Sequence, residues 1–246
     1  MQTSVDASVS FYDSLWTRTK RVDQHHKCRI HAIARLLAQI PATGSEKRRI
    51  LELGCGSGIV SEFLARFGDV TGIDQSPVGV ETARRRGCGR FIVGVLPAVP
   101  STEANFDLCV LTQVVEHFSD DDRVVLLRNA RAAVNPGAYL IVTTPNRPVA
   151  SRVMLASGEA EPIENWLTPD ELTQLLHDTG WEPIATRFAF SFFPVTASRH
   201  SWMRGARFIA YDVLRLRTPI EDATSSWGLG DCVATLARAA VSPRKS

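Results

Sequence analysis

The sequence predicts an α/β fold, a mostly parallel sheet with helices on both faces. Three observations lead to it. From residue 49 onward short apolar runs alternate with amphipathic stretches, a glycine-rich turn follows the first run, and an acid closes the second. With 246 residues and 44% apolar side chains, the chain is long enough to bury a full core.

Residues 1–46 carry no strand signal. Within 14–37, Trp16, Ile30, Ile33, Leu36 and Leu37 fall partly at helical spacing, and Pro41-Ala-Thr-Gly44 breaks the segment. This sets a helical N-terminal unit over 1–46 before a sheet domain over 47–246. A short apolar strand is expected at 49–53, an amphipathic helix at 59–67 and a second strand at 70–73. Ser76 is placed to cap a helix whose first position is Pro77 and which stops at Gly87. Strands follow at 91–93 and 108–111, then a helix over 121–134 closed by Asn135-Pro136-Gly137, then a fifth strand at 139–143. Thr168-Pro-Asp-Glu171 reads as a capping box that opens a helix ending at Gly180. The ranges 184–193 and 232–236 supply two more strands. Residues 194–230 break the alternation, and their apolar, basic and aromatic stretch from Trp202 to Leu216 is expected to form a helix over the active edge of the sheet.

Several function classes are disfavoured by composition. A net charge of +2 is too small to argue for nucleic acid, and the run Arg84-Arg85-Arg86 reads as a solvated helix face. The cysteines, Cys28, Cys55, Cys88, Cys109 and Cys232, are scattered with no CxxC pair, against a zinc ribbon or a secreted disulfide scaffold. Residues 1–10 do not resemble a signal peptide, and no apolar run approaches the ~20 residues that span a bilayer. The expected location is the cytoplasm, with no integral membrane segment.

The strongest signal is Ile50-Leu51-Glu52-Leu53-Gly54-Cys55-Gly56-Ser57-Gly58. Glycines after a strand permit left-handed backbone and let a ligand approach without meeting a Cβ. They lie where open α/β sheets bind ligands, outside the carboxyl ends of the strands. A nicotinamide dinucleotide turn wants its third glycine at 59, which is Ile59; here the third is Gly58. Asp74, ending the second strand in Gly72-Ile73-Asp74, can accept both hydroxyls of a ribose.

With these residues in order, followed by Phe106-Asp-Leu-Cys-Val-Leu111, Val115-Glu-His-Phe118, Asn135-Pro-Gly137 and Thr144-Pro-Asn146, the chain resembles the class I methyltransferases over about 48–185. Within them it is most similar to the ubiquinone-biosynthesis O-methyltransferases and their small-molecule relatives. The resemblance implies a Rossmann-like, seven-stranded, mostly parallel sheet whose last strand is antiparallel, and S-adenosyl-L-methionine as cofactor. It implies Gly54, Gly56 and Gly58 against the methionine part and Asp74 on the ribose, with Glu52, Cys55 and Gln75 among the cofactor-binding residues. Arg29 aligns with an arginine that meets the cofactor's carboxylate, and Thr112 and Gln113 lie where backbone faces the methionine amine. Tyr12 and Trp16 fall in a segment that commonly lids the cofactor, with ordinary helix packing as the other reading. The acceptor is expected to be a small molecule, walled in part by residues 194–230, and not a nucleic acid; neither a basic face nor an Asn/Asp-Pro-Pro-Tyr motif is visible.

Two departures matter. Relatives often carry an acid after the third strand, where this chain reads Val93-Gly94-Val95-Leu96. The mitochondrial ubiquinone enzymes carry Glu-x-x-Glu-His as a metal site, where this chain reads Gln113-Val-Val-Glu116-His117. A neutral amide in place of an anionic oxygen weakens a hard-cation site, so no metal is expected. His117 is the candidate general base; the alternative is that Glu116 and His117 brace the next helix. His25, His26, His31 and His200 fall in the covering segments, and His177 is expected at the surface. A catalytically silent binding or scaffold protein of the same fold is the alternative function, but it predicts loss of cofactor residues that are all present here.

Overall fold

The computed structural model describes residues 2–18, 24–42, 46–99, 105–151, 165–189 and 230–240. Two helices, α1 (Gln2–Arg18) and α2 (Gln24–Leu37), precede the sheet. The expected single helix over 14–37 is thus two, and the first begins earlier. Val5, Val9, Tyr12 and Trp16 stand at helical spacing along α1 and mark this earlier start, while α2 buries Cys28, Ala32, Ile33, Leu36 and Leu37.

The sheet strands are β1 (Arg48–Leu53), β2 (Gly68–Asp74), β3 (Arg90–Val93), β4 (Phe106–Thr112), β5 (Val134–Pro145), β6 (Trp181–Ala189) and β7 (Cys232–Ala239). Their spatial order is β3-β2-β1-β4-β5-β7-β6. β1 to β5 pair in parallel, and β7 runs antiparallel between β5 and β6. The expected architecture is therefore observed. β6 starts at Trp181, earlier than expected, and 190–193 lies outside the described residues, as does the helix expected over 202–216. β5 begins at Val134, so Asn135-Pro136-Gly137 lies in its first turn of chain, where the pairing with β4 shifts register between Phe106 and Leu108.

Alternation of side chains sorts the apolar residues onto two faces. Leu51, Leu53, Cys109, Leu111, Leu140, Val142 and Val233 pack beneath α5 (Asp120–Ala133) and α6 (Pro169–Asp178). Ile50, Leu108, Val110, Ile141 and Leu236 pack with α2 and α3 (Ile59–Leu64) on the other face. Glu52 is in phase with Ile50, which aims its carboxyl at α3. Trp181 is 1% exposed and donates its indole N–H to the Leu127 carbonyl at 3.1 Å. Truncation to alanine removes one of the largest buried side chains, an expected loss of ~3–5 kcal/mol in urea denaturation.

The caps are as the sequence dictates. Ser76 accepts from Gly79 N at 2.9 Å at the start of α4 (Pro77–Arg85). Thr168 and Glu171 close a reciprocal capping box on α6. His177 is exposed. Within the arginine run, Arg84 and Arg85 are exposed as expected and Arg86 departs from expectation. Arg86 is only 21% exposed, and it donates to the Ser57 carbonyl at 2.7 Å and pairs with Glu62 at 2.7 Å. It thereby braces the glycine turn from behind.

Candidate active site

Strand order reverses between β1 and β4, and the crevice where an α/β sheet takes ligands opens there. The glycine turn leaves β1 at that point. Gly54, Gly56 and Gly58 have φ of 78°, 48° and 75°, values costly for any other residue. A Cβ on Gly54 would strike Val114, and one on Gly58 would press on Ala83 of α4 at 2.8 Å. Gly58 therefore serves the approach of α4 and stands outside the cavity wall, while Gly56 is covered by the Trp16 ring.

A cavity beside the turn is lined by Arg29, Glu52, Gly54, Cys55, Ser57 and Thr112, with Trp16, His26, Ile59 and Val60 completing it. Five sequence-predicted residues (Arg29, Glu52, Gly54, Cys55 and Thr112) are thus brought together from three elements. Trp16 Nε1, Ser57 Oγ and Thr112 Oγ1 are buried and have no hydrogen-bond partner among the described residues. Buried polar groups are nearly always satisfied, so three such atoms around one cavity mark the place of a polar ligand. A guanidinium, an indole N–H, two hydroxyls and a carboxyl suit the zwitterionic head of an amino acid. The residues present therefore fit the methionine part of the implied cofactor. Ser57 was not singled out from the sequence; its signal was its place between two of the glycines.

The acids of the site are buried. Glu52 is 1% exposed and hydrogen-bonds Ser61 Oγ. Burial raises its pKa to about 8, against the opposing Ser61 bond and with the nearby Asp74 adding to the rise. Asp74 accepts from Gly56 N at 2.8 Å and Ser76 N at 2.9 Å, tying β2 to the turn. Its carboxyl too is pushed above the ordinary range by burial. The Cys55 thiol is held far above its ordinary value by burial, which makes it a packing group and not a nucleophile. Gln75 follows Asp74 and is partly buried.

The remaining predicted residues form a second group past the end of β4. Gln113 adopts φ of 56°, rare outside glycine, and its side-chain amide donates to Thr143 Oγ1 at 3.4 Å and to Cys232 Sγ at 3.6 Å. Its backbone N–H is taken by the Thr143 carbonyl at 2.9 Å. Glu116 is 2% exposed and accepts from Thr144 Oγ1 at 3.0 Å, with burial raising its pKa against the opposing effect of His117. His117 closes a short 3-10 turn (Val115–His117), and its ring meets Tyr12 edge-on at 5.8 Å. No group of three His, Cys, Asp or Glu arranged to hold a metal occurs among the described residues. No described helix is long and apolar enough to cross a membrane.

Residues 24–186 match the family model described as a methyltransferase domain. The ubiquinone biosynthesis O-methyltransferase of Cereibacter sphaeroides is 30% identical, over 76% of this chain and 83% of its own. Among solved structures, the methyltransferase complexed with the Trm112 activator of Haloferax volcanii superposes with a TM-score of 0.69 at 18% identity, covering 96% of this chain and 99% of that one. A DhpI–SAH complex gives 0.63 at 17% identity, over 96% and 97%. With the cofactor turn, Asp74 and the switch-point cavity already in place, this chain belongs to the class I S-adenosylmethionine-dependent methyltransferases.

Proposed function

We propose that the chain transfers the methyl group of S-adenosylmethionine to an oxygen or nitrogen of a small-molecule acceptor by in-line displacement. The observation that carries the reading is the set of unpartnered donors and hydroxyls, Trp16, Ser57 and Thr112, between Arg29 and Glu52. The cofactor supplies the activated methyl group and the leaving sulfur. The protein's part is to bind, to orient and to exclude water, and positioning of this kind can lower a barrier by ~7–11 kcal/mol. Calorimetry with S-adenosylmethionine and S-adenosylhomocysteine tests the reading; binding of NAD with neither of these would overturn it.

Arg29 is assigned to the cofactor's carboxylate, since it is the cationic side chain on the cavity wall. Arg29→Ala is expected to raise the S-adenosylhomocysteine Kd by about ten- to hundredfold, the scale of a charge-assisted hydrogen bond of ~1.5–3 kcal/mol. Unchanged affinity in calorimetry would remove Arg29 from the site.

The acceptor is assigned to the space past Gln113 and His117. Ala189 and Pro145 both pair with Cys232, so residues 190–229 leave and rejoin the sheet at the edge where β5 finishes. That supports acceptor contacts from this segment. His117 would take a proton from an acceptor that must lose one, with Tyr12 against its ring. Turnover is expected to survive exhaustive EDTA treatment. Gln113 turns an amide donor toward Thr143 and Cys232, and Glu116 is committed to Thr144, a poor start for a hard cation. Activity lost to chelator and restored by one divalent ion would reverse this.

A further inference from the structure

Helix α2 presents three different faces to its surroundings. Cys28, Ala32, Ile33, Leu36 and Leu37 pack into the core, and Lys27 is exposed to solvent. Between those two directions lie His26 and Arg29, three positions apart and therefore neighbours on the helix surface. Both are half-buried, and both line the cavity beside the glycine turn. The contact between Arg29 and a carboxylate does not by itself account for an imidazole on the same wall.

The walls sort the two ends of a zwitterionic head. The first two turns of α2 bring the Arg29 guanidinium and the His26 ring to the cavity, and the field of a helix N-terminus also favours an anion. Glu52 of β1 and Thr112 of β4 offer a carboxyl and a hydroxyl, groups suited to an amine. The α-carboxylate therefore belongs against α2. A carboxylate has about four lone-pair sites, and one guanidinium fork covers two of them. Trp16 Nε1, buried with no hydrogen-bond partner among the described residues, can take a third. An imidazole on the wall beside Arg29 can supply the fourth, since it has an N–H to donate even when neutral.

We propose that His26 is a second carboxylate-binding residue, donating a ring N–H to the α-carboxylate of the cofactor beside Arg29, so that this pair on α2 selects ligands that carry the carboxylate. This rests on the cofactor assignment above. Its signature is a dependence on the ligand. A residue that only shapes the cavity weakens every ligand of that cavity alike, whereas a carboxylate donor weakens only those that have a carboxylate.

Calorimetry on the full chain tests this with S-adenosylhomocysteine and its decarboxylated analogue, which keeps the amine and lacks only the carboxylate. His26→Phe keeps a ring without an N–H, and His26→Gln keeps an N–H without the ring. His26→Phe is expected to raise the Kd for S-adenosylhomocysteine about tenfold and to leave that for the analogue within about twofold of wild type. His26→Gln should stay within about threefold of wild type for both ligands. If the analogue binds wild type too weakly to measure, the contrast between Phe and Gln on S-adenosylhomocysteine decides alone. Equal losses on both ligands, no loss in His26→Phe, or a loss in His26→Gln as large as in His26→Phe would overturn the role of His26 while leaving the cofactor reading intact. Failure of wild type to bind either S-adenosylmethionine or S-adenosylhomocysteine would overturn the cofactor reading, and the role of His26 with it.

Discussion

Asp74→Ala is expected to abolish measurable cofactor binding and to destabilise the free protein at the same time. The carboxylate does two jobs at once. It is the acceptor assigned to the ribose, a loss of ~1.5–3 kcal/mol on its own. It also takes the N–H groups of Gly56 and Ser76 at 2.8 and 2.9 Å. Alanine leaves both donors buried without a partner, at ~1–3 kcal/mol each, and frees the turn that shapes the cavity. Asp74→Asn, which keeps one acceptor oxygen, should lose less stability while still binding the cofactor weakly. Urea denaturation and calorimetry on the two variants separate the effects. An alanine variant with wild-type midpoint and affinity would mean that neither the turn nor the ribose depends on Asp74.

The second large effect is a pH dependence written by Glu52. Its carboxyl has a pKa of about 8 in the folded chain against an ordinary value of 4.5. The unfolded chain therefore gives up the proton first as pH rises. The stabilising contribution is fully present below pH 4.5 and is lost as pH climbs through about 8. Within that window the slope approaches ~1.4 kcal/mol per pH unit. Glu52→Gln, neutral at every pH, should match wild type in thermal stability near pH 5 and exceed it clearly near pH 8. Asp74, raised in the same direction, leaves a residual slope in the variant. Calorimetric melting across pH 5 to 8.5 measures it, and parallel curves for the two proteins would mean that Glu52 is ionised in the fold.

What the sequence revealed was local. The Ser76 cap and the Thr168 box are written in three or four consecutive residues, and both were legible. So were Glu52, Gly54 and Cys55, because a strand running straight into a turn carries them to one wall of the crevice. Helix α1 was legible only from residue 14, although Val5, Val9, Tyr12 and Trp16 repeat at helical spacing, and its anchors are remote: Asp13 meets Ser76 from 63 positions away. Arg86 was misread because a charge run looks solvated until a backbone carbonyl, that of Ser57, comes within reach from another loop. The strain at Gln113 was equally invisible, for nothing in a glutamine announces a left-handed backbone.

The position of β7 has a consequence for how the chain is born. Strand Cys232–Ala239 is the last to emerge during synthesis, yet it lies between β5 and β6 and pairs with both. Until it arrives, β5 keeps one flank bare and Trp181–Ala189 has no partner to join. Domains fold as they are made at ~5–20 residues per second, so from the completion of β6 at Ala189 until β7 arrives the nascent protein carries an uncovered flank of β5 and an unpaired β6. Such edges invite pairing with neighbouring chains. A chain cut short before residue 232 would therefore be prone to aggregation, with the glycine turn and the five parallel strands in place and β6 and β7 still unjoined.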